Sequence, residues 1–444
     1  VKRLVFCFDG TWNRLAAECP TNVVFTAESV LPLARDNIAQ VIYYDEGVGT
    51  SRWERIRGGI LGSGLVKNLA DAYRFAIFNY TPGDEIYVIG FSRGAYTARS
   101  FAGLLACCSI VLRKYAGRAD EAIALYRSRE DSESFRSRST EFRLQCSPHL
   151  CVSVDDANAR SLPLVSVTYL GVWDTVGALG IPATFRFWSS VSSKKYQFHN
   201  TSLSPFVRSA RHAVAIDEKR FDFKPTLWDN LAELNGAKGF ANEADDAPYQ
   251  QKWFPGTHSS VGGGGERRGL SDQALDWVLD GARAMGLQLD ADEHSRIYEL
   301  APDYREFIEN SERQSLSYRA MKLSSIDRVP GPSGLHEVSK SAMRRWHELP
   351  QNLRDQVLYR PGTLGQVKTS LDALDPENLG VRLLAQPLGK CETYVVQRGD
   401  TLGEIAKRQY GNATHWERIF KANMDKIENP NRIYPGQLLR IPVE

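Results

Sequence analysis

Residues 85–100, EIYVIGFSRGAYTARS, decide the fold class. The apolar run Ile86, Tyr87, Val88 and Ile89 ends in Gly90-Phe91-Ser92-Arg93-Gly94 and passes directly into a helix-compatible segment. A buried strand, then G-x-S-x-G, then a helix is the pattern of a nucleophile elbow, a turn sharp enough to lift a serine hydroxyl clear of the backbone. Gly90 and Gly94 make room for that turn, because a side chain at either position would clash with it.

Outward from the elbow, strand-like runs at 4–8, 41–44 and 164–172 are separated by long helical or irregular stretches, the spacing of an α/β sheet with crossovers. The charged stretch 116–160 is expected to form helices inserted beside the sheet, and residues 208–216 read as helix. A polar, helix-rich region runs from 290 to about 360. Beyond Arg360-Pro361-Gly362 the periodicity fades. The expected organisation is a large domain over 1–366, a linker over 367–391 and a small domain over 392–444.

Composition narrows the function classes. The chain has 444 residues, 42% hydrophobic and 24% charged, enough for one large core and a small extra domain. A formal net charge of +2 gives no long-range pull toward nucleic acid. Seven cysteines, with no C-x-x-C pair, read as reduced thiols and not as zinc ligands, so no metal or organic cofactor is expected. The apolar core of 4–8 is too short for a signal peptide, and the run 101–112 falls short of the roughly 20 residues of a membrane span. The protein is therefore expected to be cytoplasmic in the producing cell, exported to act in a periplasm or envelope, and to touch membranes only peripherally.

A serine nucleophile needs a base and a carboxylate to orient that base. Asp174, in YLGVWDTVG, falls where an apolar strand ends, the edge at which catalytic groups collect in open sheets. His258, in WFPGTHSSV followed by four glycines, is expected to project from a mobile loop as the base. Asp217 and Asp272 are the alternatives to Asp174. The order Ser92, Asp174, His258 is that of the α/β-hydrolase arrangement. The first strand ends in FDGTWN, so Gly10 or Thr11 is expected to join the Arg93 N–H as an oxyanion donor. Asp9 reads equally as an active-site carboxylate and as a turn residue binding its own loop.

Six motifs, FDGTWN, YYDEGVGT, GFSRGAYTAR, LGVWDTVGALG, HAVAIDE and WFPGTHSSVGGG, follow one another between residue 2 and about 364. Together they resemble the bacterial α/β-hydrolase family that includes phospholipase effectors of type VI secretion. That resemblance implies a lipase whose triad roles fall on Ser92, Asp174 and His258. It also implies an immunity protein or secretion-spike partner. Ser260 departs from the pattern, which has an acidic residue there.

The C-terminal segment, from Tyr394-Val395-Val396 through Asp400-Thr401-Leu402 to Tyr434-Pro435-Gly436, resembles a LysM module. Strand and helix signals give a βααβ unit with Leu402, Ile405, Ile419 and Leu438 as its core. The resemblance implies a groove for peptidoglycan or another N-acetylglucosamine polymer, lined by Gly399, Asp400, Thr401 and Leu402 on one side and Asn429, Pro430 and Ile433 on the other. A spacer or protein-docking role stands beside it.

The expected function is a serine hydrolase of carboxylic esters, a phospholipase held to the cell wall by LysM. Two alternatives stay open: an esterase on small or glycan-linked esters, and a non-enzymatic peptidoglycan-binding or secretion-associated protein. The segment 181–199, with Phe187 and Trp188 beside Lys194 and Lys195, reads as a lid or membrane-docking edge, or else as a loop packing its aromatics inward.

Overall fold

The computed structural model describes residues 1–10, 17–47, 61–177, 201–290, 300–310, 326–381, 391–423, 427 and 430–442. Among them, β1 (Arg3–Phe8), β2 (Gln40–Asp45), β3 (Glu85–Phe91), β4 (Tyr169–Trp173), β5 (Ala210–Ala215) and β6 (Tyr249–Phe254) form one sheet in the order β2-β1-β3-β4-β5-β6. Every neighbouring pair is parallel.

A parallel sheet must be covered on both faces, and the period-two alternation of the strands supplies two apolar surfaces. Leu4, Phe6, Phe8, Val88 and Val172 face Leu69 and Tyr73 of α2 (Leu61–Asn79), which follows α1 (Asn22–Ser29), and Phe101 and Leu105 of α3 (Arg93–Cys108). Val5, Cys7, Ile89, Tyr169 and Trp173 face the other way, toward Phe25 of α1. The charged stretch after α3 forms α4 (Ala119–Arg127), α5 (Glu133–Cys146) and α6 (Val154–Arg160). Downstream lie α7 (Leu231–Ala237), α8 (His258–Gly262) and α9 (Gly269–Ala284), whose Val278 and Ala282 complete the second face.

The chain runs from β1 out to β2, then returns to the other side of β1 as β3. That reversal is the switch point at which open sheets leave a crevice beyond their carboxyl ends. Phe8 pairs with Gly90 there, so the loop after β1 and the elbow after β3 lie side by side.

Three expectations change. Residues 210–215 are strand β5, not helix: alanine's helix preference amounts to a few tenths of a kcal/mol per residue, and burial between β4 and β6 outweighs it. The segment expected as linker from 367 is packed. α10 (Lys340–His347) and α11 (Lys368–Asp372) place Trp346 and Leu371 over Val214, Ile216 and Trp253, and Val381 is also buried. Residues 382–390 lie outside the described residues.

The third change is a register in the small domain. β7 (Cys391–Val395) and β8 (Leu438–Pro442) pair antiparallel around α12 (Leu402–Tyr410) and α13 (Trp416–Ala422). Leu402, Ile405 and Ile419 are in its core, but Leu438 is 51% exposed and Leu439 and Ile441 are buried instead. Because alternate strand residues face opposite sides, a slip of one position exchanges the buried set for the exposed one.

Candidate active site

Ser92 sits between β3 and α3 with φ 60° and ψ −123°, a conformation that a side-chain-bearing residue adopts only when its surroundings enforce it. The surroundings are tight. A Cβ on Gly94 would stand 2.2 Å from the Phe8 carbonyl oxygen and 2.4 Å from that of Asp9, and one on Gly90 would stand 2.7 Å from the Gly94 oxygen. The Ser92 N–H donates to the Trp173 carbonyl at 3.0 Å, tying the elbow to the end of β4.

His258 Nε2 lies 2.8 Å from Ser92 Oγ, and its Nδ1 lies 2.5 Å from Asp174 Oδ2. Asp174 follows β4, has φ 37° and is fully buried; the Ala215 N–H donates to its Oδ1 at 2.9 Å. His258 does not ride on a mobile loop as expected. It is the first residue of α8, is buried, and its ring packs against Phe91 at 4.7 Å and edge-on against Phe223 at 4.9 Å. The fixed ring needs no loop movement to meet the serine.

Two residues not singled out from sequence complete the surroundings. Arg328 grips Asp174 with both terminal nitrogens, Nη1 to Oδ1 at 2.5 Å and Nη2 to Oδ2 at 2.9 Å. Glu218, in the HAVAIDE motif, accepts the His258 backbone N–H at 3.2 Å and is forked by Arg220 at 2.7 and 2.8 Å. Burial pushes the Asp174 carboxyl up, but the Arg328 charge and the hydrogen bonds from His258 and Arg328 outweigh it and hold it well below the usual carboxylate range. Burial lowers the His258 pKa, and the pull of Asp174 offsets this only in part. The motif around Glu218 was visible in the sequence; nothing near Arg328 marked it.

The other expected residues have other places. The Gly10 N–H donates to Asp9 Oδ1 at 2.6 Å, so it is turned into its own loop; Thr11 lies outside the described residues. The Asp9 carboxylate also accepts from Thr21 at 2.7 Å and Tyr44 at 2.9 Å, the environment of a loop-holding residue. Arg93 opens α3 directly after the serine. Asp217 accepts the Gly256 N–H at 2.7 Å and the Tyr359 hydroxyl at 2.8 Å, and Asp272 pairs with Arg268. Ser260 Oγ donates to the Ile308 carbonyl at 2.6 Å.

In the small domain Gly399 has φ 86°, Asp400 accepts the Gln397 N–H and the Tyr394 hydroxyl, and Thr401 forms a capping box with Glu404. Leu402 is buried in the core, while Pro430 and Ile433 are half-buried. Asn429 and the segment 181–199 lie outside the described residues. Tyr434, next to the second loop, reaches Asp276 of α9 at 3.2 Å.

A serine on a strained strand-to-helix turn, bonded to a histidine that is bonded to a buried carboxylate, is the arrangement in which hydroxyl nucleophiles are activated. Residues 2–281 match the catalytic domain of Tle1-like phospholipase effectors of type VI secretion, and the chain belongs to that family. Residues 394–442 match the LysM domain. Uncharacterized protein YEL023C of Saccharomyces cerevisiae is 26% identical over 238 residues, covering 50% of this chain and 32% of that protein. Potassium binding protein Kbp of Escherichia coli is 35% identical over 96 residues, covering 22% of this chain and 59% of that protein. The chain thus spans about a third of the first and three-fifths of the second. A Tle1 effector solved bound to the VgrG spike shares 18% identity at a TM-score of 0.32, over 59% of this chain and 51% of that one. An uncharacterized protein from Pseudomonas aeruginosa shares 14% at 0.36, over 98% and 75%.

Proposed function

We propose that the chain is a serine phospholipase of the α/β-hydrolase type. Ser92 attacks the ester carbonyl, His258 takes its proton and later returns it to the leaving alcohol, and Asp174 fixes the imidazole with Nδ1–H toward the carboxylate. Water then releases the acyl group by the same route. The observation that carries this reading is the continuous contact from Ser92 Oγ through His258 to Asp174, at 2.8 and 2.5 Å, on an elbow whose glycines admit no side chain. Family membership favours phospholipid as the ester.

The tetrahedral oxyanion would be met by the Arg93 N–H and by an amide of the loop after β1. The LysM domain would hold the enzyme on peptidoglycan close to its membrane substrate, in the envelope of a target cell. A secretion-spike partner for delivery and an immunity partner for self-protection accompany this role.

The LysM match also favours a second reading, an esterase removing acyl groups from the glycan itself. Fatty-acid release from mixed bacterial phospholipid vesicles, by wild type and Ser92→Ala with a soluble nitrophenyl ester alongside, separates the two. Serine-dependent release from vesicles supports the phospholipase; serine-dependent cleavage of the soluble ester alone moves the substrate to acylated glycan. The absence of serine-dependent activity on either substrate removes both and leaves a binding protein.

A further inference from the structure

We propose that Arg328 is a positioning residue of the Ser92–His258–Asp174 site, which cancels the charge of Asp174 and so keeps His258 an uncharged proton acceptor. The inference rests on the hydrolase reading above for its consequence in catalysis, and on the geometry of the pair for everything else.

Asp174 has no exposed surface, and its two oxygens accept four contacts: the Ala215 N–H and Arg328 Nη1 on Oδ1, His258 Nδ1 and Arg328 Nη2 on Oδ2. The guanidinium is held as firmly as the carboxylate. The second hydrogens of Nη1 and Nη2 donate to the Ala215 carbonyl at 2.8 Å and the Phe223 carbonyl at 2.6 Å, Nε is buried without a hydrogen-bond partner, and Arg328 is only 6% exposed. A planar fork with both tips on one carboxylate and the second hydrogen of each tip on a backbone carbonyl is fixed in orientation.

The charge count around the imidazole explains what the fork does. Asp174 and Arg328 face His258 from the Nδ1 side. Glu218 takes its backbone N–H, and Arg220 is forked onto Glu218. Phe91, Phe223 and the Ser92 hydroxyl bring no charge. Each carboxylate beside the ring is therefore matched by one arginine, and the ring is not called on to balance either. Without Arg328, a buried carboxylate 2.5 Å from the imidazole would draw a proton onto it, and an imidazolium cannot accept the serine proton.

The test is the titration of the His258 ring, followed by NMR in the full chain with ring-labelled histidine and assigned by loss of the signal in His258→Gln. In Arg328→Met the midpoint is expected to rise by one pH unit or more, and the acidic limb of kcat/KM on a soluble ester to move with it. Arg328→Lys, which keeps the charge but not the fork, is expected to fall between. A folded Arg328→Met whose midpoint and acidic limb coincide with wild type overturns the proposal. Should Arg328→Met not fold, the double variant Asp174→Asn, Arg328→Met is read instead. Recovery of the fold on removing the orphaned carboxylate supports the pairing, and a double variant as unfolded as the single one leaves Arg328 a packing role and overturns it. If Ser92→Ala leaves ester cleavage intact, the hydrolase reading falls, while the ring titration still decides the role of Arg328.

Discussion

Ser92 Oγ and His258 Nε2 are separated by 166 residues of chain and by 2.8 Å of space. Neither is placed by a flexible segment. The serine is set by the β3–α3 turn and the histidine by the first turn of α8, so the distance between them is a property of the sheet and its packing.

Ser92→Ala is expected to lower kcat/KM on a soluble nitrophenyl ester by about 10⁴-fold or more, and Asp174→Asn by a comparable factor, since the asparagine would stabilise the wrong tautomer of His258. Initial rates on the purified variants check this. A loss below tenfold for Ser92→Ala contradicts the proposed nucleophile.

Gly94→Ala would drive a methyl group into the Phe8 and Asp9 carbonyls. Both obstacles are backbone, so the elbow must open. The expected result is a loss of about 1–3 kcal/mol in urea unfolding and a fall in kcat of at least tenfold, because the serine moves off His258.

The kcat/KM profile should rise with pH through a midpoint below the ordinary imidazole value of 6.5, since burial lowers the His258 pKa and only the neutral ring accepts the proton. Rates on a soluble ester across that range locate the limb; a midpoint above 6.5 would contradict the buried, charge-matched environment.

His212 gives a separate pH effect on stability. Its Nδ1 contacts Gln251 Oε1 at 2.9 Å and its Nε2 accepts the Thr175 N–H at 3.2 Å, so the ring is buried neutral; burial lowers its pKa to about 3. The unfolded chain binds the proton first. Stability is therefore lost as pH falls from about 6.5 toward 3, by ~1.4 kcal/mol per pH unit from this residue. Asp217, raised to about 6 by burial, acts with the opposite sign between about 3.8 and 6. The measurement is accordingly a difference: urea unfolding of wild type and His212→Gln at several pH values, with the variant losing less on acidification.

Ile405→Asp places a charge in the small core of the LysM domain, where Ile405 is fully buried. That core shares no residue with the three around the large sheet. Retention of the full chain on purified sacculi should be lost, while cleavage of a soluble ester stays within about twofold of wild type.

Ser92, Asp174 and His258 were legible because each sits in a local pattern: glycines around a turn, an acid where an apolar run stops, a histidine before a glycine tract. β5 was not, because ARHAVA has one branched residue, Val214, among three alanines and owes its conformation to its neighbours. The burial of His258 and the choice of Leu439 over Leu438 depended on packing partners distant in sequence. Arg328 left no trace, since its meaning comes wholly from a carboxylate 154 residues earlier.

The Asp174–Arg328 pair also sets an order in time. A ribosome delivers the serine, the acid and the histidine well before it delivers residue 328, and the segment matched to the effector family ends at 281. Until the later segment arrives, the nascent sheet holds a carboxylate awaiting its counter-charge. A fragment cut at the end of the matched segment would lack Arg328 and stay in that unfinished state.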